Sequence, residues 1–220
     1  MKRLLTALAL LAVTSTPAVA SPIVDFTGGI ASFSAQNLTW GFTFSLSSTQ
    51  SVASLGIWDE GANGLTISHQ VGLWDASQNL LAQVTLDNTA TPVASTSTAG
   101  RWLFANVSSP LSIGPGTYFL GALYTDTQTD AIRFQNSSAT PLNLTTAGVT
   151  YLGPRRNPGG SGPANLIFPS DDPTSVGLTV GVFGPNLQFQ TTAVPEPMSL
   201  ILLGSGLAAF ATRRRRPRAR

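Results

Sequence analysis

Apolar residues in the middle of this chain recur at every second position, the period of a strand with one buried face. Between Trp40 and Leu46, the side chains of Trp40, Phe42, Phe44 and Leu46 fall on one side, with Gly41, Thr43 and Ser45 on the other. From Leu65 to Trp74 the residues Leu65, Ile67, His69, Val71 and Leu73 share a face. Leu80–Leu86, Arg101–Val107 and Thr117–Tyr124 predict three more strands. The last is apolar on both faces, as a central strand covered on both sides would be. Gly61–Gly64, Asp75–Asn79 and Gly114–Gly116 carry the turn residues that separate them. No long segment between the two ends has a helical period. The expected fold is all-β: an antiparallel two-sheet sandwich with Greek-key or jelly-roll-like connections. Residues 153–176 read as a long Pro/Gly-rich loop in which Leu166, Ile167 and Phe168 need an apolar seat.

The two ends break this pattern. Lys2 and Arg3, an apolar run from Leu4 to Val13, and Ala18-Val19-Ala20 have the layout of a secretory signal peptide over residues 1–20, cleaved after Ala20. The alternative is an uncleaved N-terminal anchor. Residues 21–194 are then the exported domain. Pro195-Glu196-Pro197 follows, then fifteen uncharged residues from Met198 to Thr212, then arginines at 213–216, 218 and 220. A spanning helix takes about 20 apolar residues. The stretch at 198–212 therefore predicts a short transmembrane helix that flanking arginine stems help to place. The arginine cluster at 213–220 should stay cytoplasmic, which puts the body outside. Both ends give the same topology.

Charge changes the picture once the ends are set apart. The whole chain has a formal net charge of +2, but eight of its 12 basic residues lie in the terminal segments. The body holds Arg101, Arg133, Arg155 and Arg156 against nine acids, a balance of −5. Such a body has no basic stripe for phosphates, so nucleic acid is not an expected partner. Cysteine is absent, which excludes disulfides, thiolate nucleophiles and Cys-ligated metals.

Candidates for chemistry are sparse. His69 is the single histidine, and its place on an apolar strand face predicts a buried structural role. No G-x-S-x-G elbow occurs, and the acids show no glycosidase dyad in sequence. The domain is thus expected not to be an enzyme and to need no cofactor. Two further chemistries have candidates. Asp59, Glu60 and Asn63 in a Gly-rich turn, with Asp171 and Asp172, offer hard oxygens of the type calcium takes, although such turns favour these residues for backbone reasons alone. Trp58, Trp74 and Trp102 lie near strand ends, where an exposed ring could stack on a sugar; core packing is the rival role.

The C-terminal order of Pro195-Glu196-Pro197, short apolar helix and arginine cluster resembles the PEP-CTERM protein-sorting domain of bacteria with outer membranes. The resemblance implies that an exosortase, a membrane-embedded cysteine transpeptidase, reads Pro195, Glu196 and Pro197 and removes the helix. The chain would then be anchored transiently in the inner membrane before reaching the outer surface. It also implies an exopolysaccharide and biofilm setting. Prolines on both sides of Glu196 fit such a site, because they block helix and favour extended backbone. A plain C-terminal anchor remains the alternative. The body, from Trp40 to Tyr124, is similar to an uncharacterised family of secreted bacterial β-sandwich domains. The likeness rests on the G-F-x-F opening at Gly41, "LGIWD" at Leu55–Asp59, "HQVGLWD" at His69–Asp75 and "LSIGPGTY" at Leu111–Tyr118, where the family has an L-x-x-G-T-Y strand. It implies fold and export, without an activity. The expected role is structural or adhesive in a polysaccharide-rich surface layer, with a carbohydrate-binding module, calcium-assisted in one form, as the alternative and a hydrolase using loop carboxylates as a third reading.

Overall fold

A computed structural model describes residues 20–32, 37–125, 129–135, 142–144, 146–157, 165–173 and 181–191. Residues 1–19 of the signal peptide expected over 1–20, the Pro-Glu-Pro motif, the helix expected at 198–212 and the arginine cluster lie outside the described residues. Among those residues no helix is long and apolar enough to cross a membrane.

The described chain is nearly all strand, and every pairing is antiparallel. In chain order the strands are β1 (Val24–Phe26), β2 (Ile30–Ser32), β3 (Leu38–Leu46), β4 (Gln50–Glu60), β5 (His69–Asp75), β6 (Leu80–Leu86) and β7 (Thr91–Ala94). They continue with β8 (Gly100–Ile113), β9 (Gly116–Tyr124), β10 (Ile132–Gln135), β11 (Leu142–Leu144), β12 (Val149–Arg156), β13 (Gly181–Phe183) and β14 (Pro185–Phe189). A five-stranded sheet, β12-β3-β9-β5-β6, and a four-stranded sheet, β14-β4-β8-β7, dominate. A three-stranded sheet, β13-β10-β2, and the pair β1-β11 complete the set. The chain crosses between the two large sheets four times from β3 to β9. One core, shared by residues of both, joins them as in a sandwich.

That core follows the alternation in the sequence. Phe42 pairs with Leu120 and Phe44 with Tyr118 across β3 and β9, and all four are buried. Towards the smaller sheets an aromatic chain continues. Phe26 lies 4.7 Å from Trp58 and 4.8 Å from Phe183, and Trp58 meets Trp102 edge-on at 5.1 Å. Phe183 in turn reaches Tyr151, which contacts Phe42. Tilted and edge-on pairs of this kind add to area burial through the ring quadrupoles.

The structure departs from the sequence expectations at two places. The strand expected from Leu65 begins only at His69, and Ile67 is exposed. Segment 64–68 instead turns onto Asp130, which accepts hydrogen bonds from the Thr66 amide and hydroxyl. The expected loop at 153–176 is also partly ordered structure. β12 runs on to Arg156, and residues 165–173 form a strap across the outer face of the five-stranded sheet.

The strap has a built seat. Gly41, Gly121 and Gly72 stand side by side on β3, β9 and β5, leaving a trough in which the Trp74 indole lies. A Cβ on Gly72 would come within 2.6 Å of that ring and 2.9 Å of Leu166; one on Gly121 would reach Thr39 at 2.6 Å. Phe168 packs against Trp74 and Phe119, and the Ile167 amide donates to Thr39 Oγ1 at 3.0 Å. At the strap's end Arg156 and Asp171 exchange both backbone hydrogen bonds. Thr39 and Thr43, on the polar side of the β3 alternation, are consequently buried. Gly72→Ala should therefore push the indole outward and cost about 1–3 kcal/mol, as overpacking does. Amide exchange would show the loss concentrated at residues 165–170, with strands β4 and β8 keeping their protection.

Candidate functional site

At one end of β4 the turn Gly61–Leu65 and the segment Thr129–Ala131 enclose a cleft of about 170 Å³. Local sequence builds the turn. Gly61, Ala62 and Gly64 all adopt positive φ (75°, 53° and 94°), a conformation glycine takes without strain. Asp59, at the end of β4, caps the turn: its two carboxylate oxygens lie 3.0 and 3.2 Å from the Gly64 amide. Asn88 closes the far side, accepting from the Leu65 amide and donating to the Leu65 carbonyl.

The acids of this cleft are each engaged. Asp59 is buried and accepts from Arg101 Nε at 2.8 Å. Glu60 takes the Arg133 guanidinium on both oxygens and the Trp58 indole N–H on Oε2 at 2.7 Å. Arg133 also donates to the Gly29 carbonyl at 2.8 Å, tying β10 to the chain before β2. Burial on its own would raise the pKa of Glu60, but the bonds from Arg133 and Trp58 and the charge of Arg133 hold it below the ordinary value.

Asp130 lines the cleft, and His69 is bonded to it from the core. His69 Nε2 lies 2.8 Å from Asp130 Oδ2, and its Nδ1 donates to the Leu123 carbonyl at 2.9 Å. Both ring nitrogens thus face acceptors, and a proton is held between Nε2 and the carboxylate. Burial pushes the Asp130 pKa up, but hydrogen bonds from His69 and from the Thr66 amide and hydroxyl, with attraction to His69, bring it below its ordinary value. Burial and the charge of Asp130 together drive the nearby Tyr124 hydroxyl upward.

Two carboxylates with lowered pKa values set an acid limit. Their folded values lie below the ordinary 4.5 of Glu60 and 3.8 of Asp130, so their stabilisation is complete above those values and fades as pH falls through the folded ones. Thermal midpoints should drop on acidification below about pH 4.5, in the window where these groups gain protons. Glu60→Gln should flatten that slope, because its side chain no longer titrates.

The sequence candidates separate into different roles. Trp58, Trp74 and Trp102 are buried, at 0 %, 4 % and 0 % exposure, so none offers a face for sugar stacking. Trp58 and Trp102 belong to the aromatic core, and Trp74 lies under the strap. Asp59 and Glu60 are ion-pair partners, and Asn63 lines the same cleft. Asp171 and Asp172 lie on the strap, where Asp172 is 3.2 Å from Arg155. These five residues do not assemble one oxygen cage, and no group of three or more His, Asp or Glu able to hold a metal occurs among the described residues. Asp25, Asp130 and Arg133 were not singled out by the sequence. Asp25 is buried and accepts from Trp102 Nε1 and the Thr96 amide; no periodicity marks such a tie.

Fold and ion-pair pattern define an antiparallel β domain whose acids join distant parts of the chain. Residues 27–167 match a domain of unknown function (DUF4082), and residues 193–216 match the PEP-CTERM protein-sorting motif. The first match spans more than half of the chain, and the protein belongs to the DUF4082 family. Its C-terminal motif marks it as an exported, exosortase-targeted PEP-CTERM protein. No curated protein matches the chain.

Proposed function

We propose that the sorted domain acts as a structural or adhesive component of an exopolysaccharide-rich surface layer, without catalytic activity. The observation that carries this reading is the use of the buried and half-buried acids. Asp25, Asp59, Glu60 and Asp130 each bond across 42 or more residues of sequence. Groups committed in this way brace a scaffold and are poorly placed to exchange protons with a substrate. Export and sorting supply the location; the braced sandwich supplies a durable body there.

Deletion of the gene from the native host tests this reading. The proposal expects a surface layer that sheds more polysaccharide under shear, restored by the wild-type chain. It expects the processed protein to co-fractionate with the polysaccharide. Unchanged cohesion together with a purely soluble protein would overturn it.

A further inference from the structure

We propose that the outer edge of β6, which no described strand pairs with, is a homotypic docking strand, pairing antiparallel with β6 of a second copy. The two large sheets have four end strands, and three carry a device that blocks pairing. β7 is four residues long with Pro92 inside it. β12 is broken by Gly153 (φ 133°) and Pro154, and Asp171 occupies its end. β14 begins at Pro185 and is covered by the N-terminal segment: the Ile23 backbone amide donates to the Leu187 carbonyl, and the Asn186 side chain donates through Nδ2 to the Val24 carbonyl.

Among the described residues, β6 has none of these over Ala82–Leu86. Its seven residues, LLAQVTL, include no charge, proline or glycine. On its inner side it pairs with β5, with one irregularity near Leu81, leaving Ala82–Leu86 regular. No described strand pairs with its outer side. Gln83 and Thr85 are exposed, and Leu80 is 49 % exposed.

A second copy suits this edge better than a charged partner. An antiparallel strand pair has a two-fold axis, so one edge serves both partners. With the axis at Val84, Gln83 faces Thr85 of the second copy, and Asp87 faces its Leu81. No acid then opposes an acid, although each body has a balance of −5. Asp75 and Asp87, at either end, are already bonded within their own turns. The product is one continuous ten-stranded sheet.

The absence of cysteine makes the test direct. Full chains with Gln83→Cys and with Thr85→Cys are co-expressed under different tags in the exporting host, where disulfides form. A Ser109→Cys chain under both tags reports random collisions, since Ser109 is exposed on β8. The pairing expects mixed disulfide dimer at least tenfold above the Ser109→Cys level. Dimer at the control level would overturn it, including the case in which β6 serves a different protein. A second readout avoids thiols. Gln83→Lys/Thr85→Lys and Gln83→Glu/Thr85→Glu copies should each lose self-association and regain it when mixed; association unchanged in both variants would equally overturn the proposal. Either failure leaves export and sorting untouched.

Discussion

Replacing Trp58 by alanine is expected to lower the stability of the domain by about 3–5 kcal/mol. Trp58 is fully buried and contacts Phe26 and Trp102. Its indole N–H also serves Glu60, so truncation opens a cavity and removes one of the bonds that keep that carboxylate ionised. Domains of this type are stable by about 5–15 kcal/mol in all, and the loss corresponds to a fall in melting temperature of about 10 °C. Calorimetry on wild type and variant measures it. Trp74→Ala is the informative comparison, because Trp74 lies outside the aromatic core. Its effect should be smaller and confined to exchange protection of the strap.

Asp130→Ala should cost about 3 kcal/mol, a magnitude set by leaving charged and polar partners without an acceptor. The substitution strips the partner from His69 Nε2 and from both the amide and hydroxyl of Thr66. Segment 64–68 should then open, exposing Leu65, which is 6 % exposed in the intact protein. Asp130→Asn tests the cause. An amide oxygen can still accept from Thr66 but bears no charge for His69, so it should recover part of the loss and leave the Thr66 amide protected from exchange. Equal losses for alanine and asparagine would show that the charge is what matters.

The parts of the fold visible in the sequence are those with a long, uninterrupted period. β3 and β6 fall where alternation places them, and β9 falls on a run apolar on both faces. The strands of three or four residues, β1, β2, β7, β10, β11 and β13, are too short to display a period. β14 hides behind Pro185 and Asn186, residues that signal turns. Ile67 continues the alternation of β5 yet leaves it, because the acceptor for its neighbour Thr66 is Asp130, 64 residues away.

The same limit applied at the candidate site. Asp59 and Glu60 were legible as acids in a Gly-rich turn. Their occupation by Arg101 and Arg133, 42 and 73 residues distant, was not. Tryptophans near strand ends look alike in sequence whether open or covered. Trp58 and Trp102 are covered because they stand opposite one another on β4 and β8, beneath Phe26. By contrast, the address is encoded within one short segment, and there the sequence was sufficient.

The mass and location of the mature protein, with Pro195-Glu196-Pro197 intact and replaced by three alanines, test the account most directly. The account predicts a wild-type body that begins after residue 20, ends near Val194 and leaves the inner membrane, and an alanine variant retained there at its full C-terminal length. Wild type and variant both retained with the arginine cluster still attached would contradict it.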